Sequence, residues 1–321
     1  MVPSQKKVFI VNPCAGNGAA EIKWRVISRL VEEQLGSFTT CFTEREGDAT
    51  RLAREHLASG ADLIVGVGGD GTLNEIINGF IELSPQVFHG ARLGILPFGT
   101  GCDFARTVLK SSTPGRALQV IKEGYTRSMD LGRIQFSDHN GVSGVRYFHN
   151  VVSFGTGGEV VVHVNSHSKA GGAFLSFLRS TLVCLMRHRA RRICLNCDGR
   201  AEEFVVRNIA VANGLYHGGG MCVAPEALAD DGLLNVTVIG DLSLSEMFLN
   251  IAKFYNGRIK EVKKVITMTG RHIEANSKQD IRIDMDGEQP GWLPVVIDIL
   301  PQAMPMIVDR EMFSPSPRQS G

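Results

Sequence analysis

From Asp62 to Val67 the chain is almost continuously apolar and β-branched, the pattern of a short buried strand. Gly68-Gly69-Asp70-Gly71 breaks that run, and from Thr72 the apolar positions Leu73, Ile76, Ile77 and Phe80 recur at helical spacing. The pattern therefore predicts strand, glycine turn, helix. The same alternation holds on both sides of it. Lys6 to Pro13 reads as a first strand and Ala19 to Leu35 as its helix; Ser37 to Thr43 reads as a second strand, with a helix opening at Gly47-Asp48-Ala49 and running to about Ala58. Arg92 to Pro97 is a fourth strand, followed by a further glycine-bearing turn. Strands that alternate with helices form a parallel sheet, and the turns at the carboxyl ends of such strands are where open α/β sheets bind ligands.

The pattern changes near Gly124–Arg127. Beyond it strands dominate: Ser128–Phe136, Arg146–Phe154, Arg192–Cys197, Phe204–Asn213, Leu233–Ile239, Val265–Glu274, Ile281–Asp286 and Leu293–Ile299. Many short strands with turn signals between them predict an antiparallel sandwich or barrel. The expected division is an α/β domain over residues 1–126, a mainly antiparallel β domain over 127–305, and a terminal segment, 306–321. Its Ser- and Pro-rich end, Ser314 to Gly321, reads as disordered.

Composition adds exclusions. The chain has 321 residues, 43% of them hydrophobic and 21% charged, enough for a globular core. A net charge of +1 argues against a nucleic-acid binder. No N-terminal apolar stretch reads as a signal peptide. The apolar helical run Ala173–Met186 is short and carries Arg179, so no transmembrane segment is expected. Seven scattered cysteines fit a reducing cytoplasm better than a disulfide framework.

The turn at Gly68–Gly71 lets backbone N–H groups approach a ligand with no Cβ in the way. The helix start behind it adds partial positive charge, which suits a phosphate. Asn12-Pro13-Cys14-Ala15-Gly16-Asn17-Gly18 forms a second such turn. Gly66 to Gly71 also fits the dinucleotide pattern G-x-G-x-x-G, but it follows the third strand and no acidic residue ends the next strand to hold a ribose. An Asp inside a phosphate turn repels phosphate unless a cation lies between them, the arrangement of phosphoryl transfer. The plainer alternative is a tight turn with a capping Asp or Thr. In the second half, Asp284 and Asp286 share a strand face, with Glu288 at or past a turn.

Gly68-Gly69-Asp70-Gly71-Thr72, with Asn74-Glu75 after it, resembles the signature of the diacylglycerol kinase catalytic superfamily, which includes the bacterial YegS/DgkB/BmrU-type lipid kinases. Phe98-Gly99-Thr100-Gly101-Cys102-Asp103-Phe104-Ala105-Arg106 resembles the family's Gly-Thr-x-Asn-Asp-Phe-Ala-Arg, with Cys102 at the Asn position. The Asn12–Gly16 turn resembles its Asn-Pro-x-Ser-Gly loop, with Ala15 in place of Ser, so that one hydroxyl contact is absent.

The resemblance implies a phosphofructokinase/NAD kinase-like α/β domain, a β-sandwich, and a terminal segment (Met304 to Met312) returning to the first domain. It implies nucleotide binding by Asn12, Pro13, Cys14, Ala15, Gly16, Thr43, Gly68, Gly69, Asp70, Gly71, Thr72, Leu73, Asn74 and Thr100. Asp70 would act through a catalytic Mg²⁺. Asp231 and the carbonyls of Leu228 and Leu233, in the loop Pro225–Val236, would hold a structural Mg²⁺, an Asp-Gly turn being the plainer alternative. Glu288 would be the general base, with Asp286 as rival.

The implied activity is ATP- and Mg²⁺-dependent phosphorylation of a diacylglycerol-like lipid at the membrane surface, by a cytoplasmic protein transiently at the inner face. A homodimer is compatible with this. The alternatives are an NAD kinase-like phosphotransferase and a non-catalytic nucleotide- or lipid-binding regulator. Cys102, near a helix start, is expected to be an accessible thiol of lowered pKa. Three weaker signals remain: Glu159, His163 and His167 at i, i+4, i+8; the lone Cys194-x-x-Cys197 pair; and the basic run Arg187–Arg192, either a solvated face or an anionic-lipid patch.

Overall fold

The computed structural model describes residues 5–81, 90–99, 101–155 and 190–313. Thr100, the Glu159/His163/His167 triplet, the run Ala173–Met186, Arg187–Arg189 and the tail Ser314–Gly321 lie outside them. The chain divides into two compact units, Met1–Ser128 with Met304–Gly321, and Met129–Ala303.

In the first unit β1 (Lys7–Val11), β2 (Thr39–Phe42), β3 (Leu63–Gly68) and β4 (Arg92–Pro97) form a parallel sheet in the order β2-β1-β3-β4. Every residue of β3 is buried, which is why its sequence shows no polar alternation. α1 (Ala19–Leu35) turns Ala20, Trp24 and Val31 inward, and Trp24 meets Phe9 with ring centroids 5.4 Å apart. α2 (Asp48–Ala58) and α3 (Asp70–Ile81) touch at backbone distance: a Cβ on Gly79 would lie 2.7 Å from the Thr50 carbonyl oxygen. Glu75 locks that contact by accepting the Ala49 N–H (3.0 Å) on its carboxylate and the Thr50 hydroxyl (2.8 Å) on its carbonyl. α4 (Asp103–Val108) and α5 (Pro114–Glu123) follow β4.

The far end of the chain completes this unit. Met306 pairs in parallel with Leu93, and the N–H groups of Val308 and Asp309 donate to the carbonyls of Tyr125 and Val108, both at 2.9 Å. The fully buried Asp309 carboxylate then takes Arg116 through Nε (2.9 Å) and Nη2 (2.7 Å).

The second unit is an antiparallel β-sandwich. β8 (Arg191–Cys197), β9 (Arg200–Ala212), β12 (Leu234–Gly240), β13 (Val265–Gly270), β14 (His272–Asn276) and β16 (Trp292–Ile307) follow the order β13-β12-β9-β8-β14-β16. β7 (Val151–Gly155) pairs with β9 and with β15 (Ile283–Met285), β5 (Thr126–Ser137) with β6 (Ser143–Phe148), and the short β10 (Tyr216–His217) with β11 (Met221–Cys222). Alternate residues such as Ile193, Leu195, Ile273, Val295 and Ile297 fill its core.

Three expected strands differ in instructive ways. Arg146–Phe154 is two strands, broken at His149-Asn150, whose N–H groups turn to the Asp286 carboxylate. Val265–Glu274 breaks at Arg271, whose N–H goes to Asp198 at 3.0 Å. Ile281–Asp286 shortens to β15 because Asp286 is already in a turn. Carboxylates far along the chain, the buried Asp286 and the exposed Asp198, pull backbone donors out of the ladder, which apolar periodicity alone does not foresee. The helix α6 (Leu244–Tyr255) was also not anticipated, although Ser243 and Glu246 form a full capping box: Glu246 N donates to Ser243 Oγ (3.3 Å) and Ser243 N to Glu246 Oε2 (2.7 Å).

Candidate functional site

In the first unit three strand-end loops meet at backbone distance. Asn12 N donates to the Val67 carbonyl, and its side-chain amide donates to Thr72 Oγ1, both at 3.0 Å, so the first loop is pinned to β3 and to the start of α3. The Cys14 N–H returns to Asn12 Oδ1 at 3.0 Å. Gly16 has φ +61°, and a Cβ there would lie 2.5 Å from the Phe98 carbonyl oxygen. A Cβ on Gly99 would lie 2.4 Å from Gly69 Cα. Glycine is required at both positions by contact, and at Gly16 by conformation as well. Thr43 N donates to the Val11 carbonyl at 2.9 Å, holding the end of β2 beside the end of β1.

Asp70 stands at the centre of these loops. Its carboxylate accepts the N–H groups of Asp103 (2.9 Å) and Phe104 (3.1 Å), tying the start of α4 to the glycine turn. Thr72, Leu73 and Asn74 are buried in the first turn of α3, and the Asn78 side-chain amide donates to Asn74 Oδ1 at 3.1 Å. Their side chains are occupied by packing. What this stretch can offer a ligand is backbone N–H groups and the positive end of the helix.

Cys102 corrects the sequence expectation. It is 6% exposed, and its thiol reaches toward the Gly68 carbonyl oxygen at 3.7 Å. Burial, and then the Asp70 charge, push its pKa up to about 12. It is a protonated packing group, not an activated thiol. Its φ of +48° gives a backbone reason for the family's Asn at this position, since Asn enters the left-handed region more readily than other non-glycine residues.

In the second unit the hairpin Met285–Glu288 carries the carboxylates. Met285 N donates to the Glu288 carbonyl (2.8 Å) and Glu288 N to the Met285 carbonyl (2.9 Å). Asp286 and Gly287, at φ +50° and +90°, are the two central residues, as a type I′ turn requires. The Asp286 side chain is fully buried and takes the N–H groups of His149 (3.1 Å), Asn150 (3.2 Å) and Val151 (2.9 Å), with His149 Nδ1 2.8 Å away. Burial, the largest single influence, pushes its pKa up. The His149 ring and these N–H groups outweigh burial and hold the carboxyl below its ordinary value.

Asp284 is buried too and lies 2.9 Å from His217 Nε2. Glu288 differs from both: its side chain is 24% exposed, with Arg146 Nη2 2.9 Å from Oε2. The sequence reading missed Arg146, His149 and His217. Only His217, followed by Gly218-Gly219-Gly220, carried a local signal.

The loop Pro225–Val236 lies beside a cavity of about 500 Å³ lined by Asp130, Asp230, Asp231, Arg271, Asp298 and Gln302, among others. Leu233 N donates to Asp231 Oδ1 at 2.9 Å, and Leu228 is exposed. Asp130, also missed, is buried and accepts the N–H groups of Gly232 (2.6 Å) and Gln302 (2.7 Å). Burial raises the pKa of both Asp130 and Asp231, and neighbouring aspartate charges add to it. Such a group of carboxylates, mixed with backbone carbonyls, is chemically suited to a hard cation. Among the described residues no group of three or more His, Cys, Asp or Glu side chains is arranged around one metal position.

Glycine loops at the ends of parallel strands, with an aspartate between them, and a carboxylate hairpin in a separate β-sandwich are parts that a phosphoryl-transfer enzyme uses. Comparison with known proteins agrees. Residues 6–134 match the diacylglycerol kinase catalytic domain, and residues 150–308 match the YegS C-terminal NAD kinase beta sandwich-like domain. The chain is 31% identical over 252 residues to the Xanthomonas axonopodis pv. citri protein named "Probable lipid kinase YegS-like", covering 77% of this chain and 78% of that one. It is 28% identical over 312 residues to the Staphylococcus epidermidis protein named "Diacylglycerol kinase", covering 95% and 93%. The fold matches a diacylglycerol kinase crystal structure from Bacillus anthracis str. Sterne with a TM-score of 0.70, at 23% identity over 97% of this chain and 100% of that one. This chain belongs to the diacylglycerol kinase family of YegS-type lipid kinases.

Proposed function

We propose that this protein is an ATP- and Mg²⁺-dependent lipid kinase that transfers the γ-phosphate to a hydroxyl of a diacylglycerol-like lipid. The observation that carries the reading is the hairpin that holds Glu288, a half-open carboxylate beside Arg146, while Asp284 and Asp286 are buried and engaged. Asn12–Gly16, Gly68–Asn74, Thr43 and Thr100 bind the nucleotide, the first two stretches chiefly through backbone N–H groups. Asp70 would hold a Mg²⁺ at the nucleotide phosphates, and Asp231 with the carbonyls of Leu228 and Leu233 would hold a second, structural Mg²⁺. The metal, when bound, neutralises charge developing on the transferred phosphoryl group. Glu288 takes the proton of the lipid hydroxyl as its oxygen attacks the γ-phosphorus, and ADP leaves. Arg146, with Nη2 2.9 Å from Oε2, orients that carboxylate. Among the described residues no helix is long and apolar enough to cross a membrane. The reading is of a cytoplasmic protein that meets its lipid at the inner membrane face, as a monomer or a homodimer.

The test is transfer of radiolabelled γ-phosphate from ATP into a panel of lipids and NAD, with and without Mg²⁺. Label in a lipid, abolished by chelation, supports the reading; label in NAD alone overturns it. Glu288→Gln should lower kcat by about 10²–10⁴ with the KM for ATP little changed. Full activity in that variant removes Glu288 as the base.

A further inference from the structure

α6 takes no part in either candidate site. Its inner face packs Met247, Phe254 and Tyr255 against Ile239, Leu242, Ile259 and Val262. Its outer face is apolar as well: Leu244 is 42% exposed, Phe248 73% and Leu249 82%. At 100° per residue these three, with Ser245, Ala252 and the half-buried Tyr255 at its edge toward the inner face, occupy one continuous arc that contains no charged residue. Glu246 and Lys253 fall together on a different side of the helix. Single exposed apolar residues need no explanation, but three on one uncharged helix face do.

The surroundings are basic. From Asp241 to Lys264 there are five Lys or Arg residues and three Asp or Glu. Lys264 is paired with Glu246, Arg258 with Glu261 and Lys260 with Glu226, and Asp241 is taken by Arg207, so the acids of this stretch are all spoken for and Lys253 and Lys263 carry its surplus charge. Among the described residues Lys263 makes no ion pair, and Lys253 reaches only the Glu261 carbonyl, at 3.4 Å. An uncharged apolar face with a basic margin is the pattern of a helix that lies in the plane of a membrane interface with its apolar side among the acyl chains.

We propose that α6 docks the protein onto bilayers containing anionic lipid, with Phe248 and Leu249 entering the interface and the lysines meeting the head groups. A second copy of the chain is the poorer occupant. A stable dimer buries about 800 Å² per partner from some 20–30 residues, whereas this face is one helix about 18 Å long. The purpose of the docking rests on the lipid-kinase reading, but its measurement does not.

The test is co-sedimentation of the full chain with phosphatidylcholine vesicles, with and without phosphatidylglycerol. The wild type is compared with Phe248→Ser/Leu249→Ser, and both are checked by thermal melting and by size in solution. The wild type should bind vesicles that contain phosphatidylglycerol, and bind pure phosphatidylcholine more weakly. The variant should keep its fold and size and lose about tenfold or more in vesicle affinity, the factor for burying even one such side chain. Equal binding by both proteins, no binding by the wild type, or a dimer that the variant splits would each overturn the proposal.

Activity is read separately on a dispersed short-chain diacylglycerol and on vesicle-embedded substrate. The variant should match the wild type on the first and fall behind on the second. If neither protein phosphorylates either lipid, the kinase reading fails while vesicle binding still decides the docking.

Discussion

Replacing Asp286 by Asn tests how the β-sandwich holds its hairpin. The carboxylate is fully buried. Oδ1 accepts from Asn150 N (3.2 Å) and Val151 N (2.9 Å), and Oδ2 faces His149 N (3.1 Å) and His149 Nδ1 (2.8 Å). Asn keeps one acceptor oxygen and can retain the first pair. On the other side its NH₂ meets a backbone N–H. Stranding that donor costs about 1–3 kcal/mol, and losing the charge-assisted contact with His149 costs about 1.5–3 kcal/mol more. Together these give about 2.5–6 kcal/mol, centred on the roughly 3–5 kcal/mol for breaking a buried pair.

In urea, with a slope of about 2–3 kcal/mol per molar, the midpoint of the second unit's transition should fall by about 1–2 M. Hydrogen exchange at the amides of residues 149–151 should speed up with it. The effect has a pH signature. A carboxyl whose folded pKa is depressed stabilises above its unfolded value of about 3.9, and that contribution fades as pH falls through the folded value. The gap between wild type and variant should therefore be constant near neutrality and narrow in acid. An unchanged midpoint with unchanged exchange would refute the reasoning, and Asp286 would return as a candidate base.

Other consequences follow from the first unit. Alkylation at neutral pH should label the exposed Cys14 and spare Cys102, read by peptide mass spectrometry; modification of Cys102 in the native protein would contradict its burial. Cys102→Asn should stabilise this unit by up to about 1 kcal/mol, because Asn pays less for the left-handed backbone, and a drop in stability would show that the thiol's packing matters more. Gly99→Ala should lose nucleotide binding together with stability, since its Cβ would meet Gly69 Cα at 2.4 Å, and unaltered ATP affinity would mean that the two loops can part.

The strand-and-glycine rhythm up to Pro97 was legible because each buried parallel strand is a plain apolar run and each loop carries its glycines. The β-sandwich was legible as strand-rich texture, but its breaks at His149-Asn150 and Arg271 were not. They depend on Asp286 and Asp198, which lie far along the chain from the backbone they hold. The accessible thiol expected at Cys102 failed for a related reason: position at a helix start is local, whereas burial under the Gly68 loop is tertiary. The unit boundaries left no Gly- or Pro-rich linker to read, since β5 and β16 run through them unbroken.

The return of Met304–Phe313 to the first unit has a consequence for synthesis. The partner of Leu93 and the carboxylate that grips Arg116 leave the ribosome only after the whole of the second unit. At about 5–20 residues per second, the stretch Met129–Ala303 keeps the nascent first unit waiting roughly 10–35 s for its final strand residues. Through that interval β4 lacks its Met306 partner and Arg116 lacks Asp309, so the first unit is completed only after the second has been made. A stop codon just before Met304 would leave every glycine loop encoded and the unit that carries them permanently unfinished.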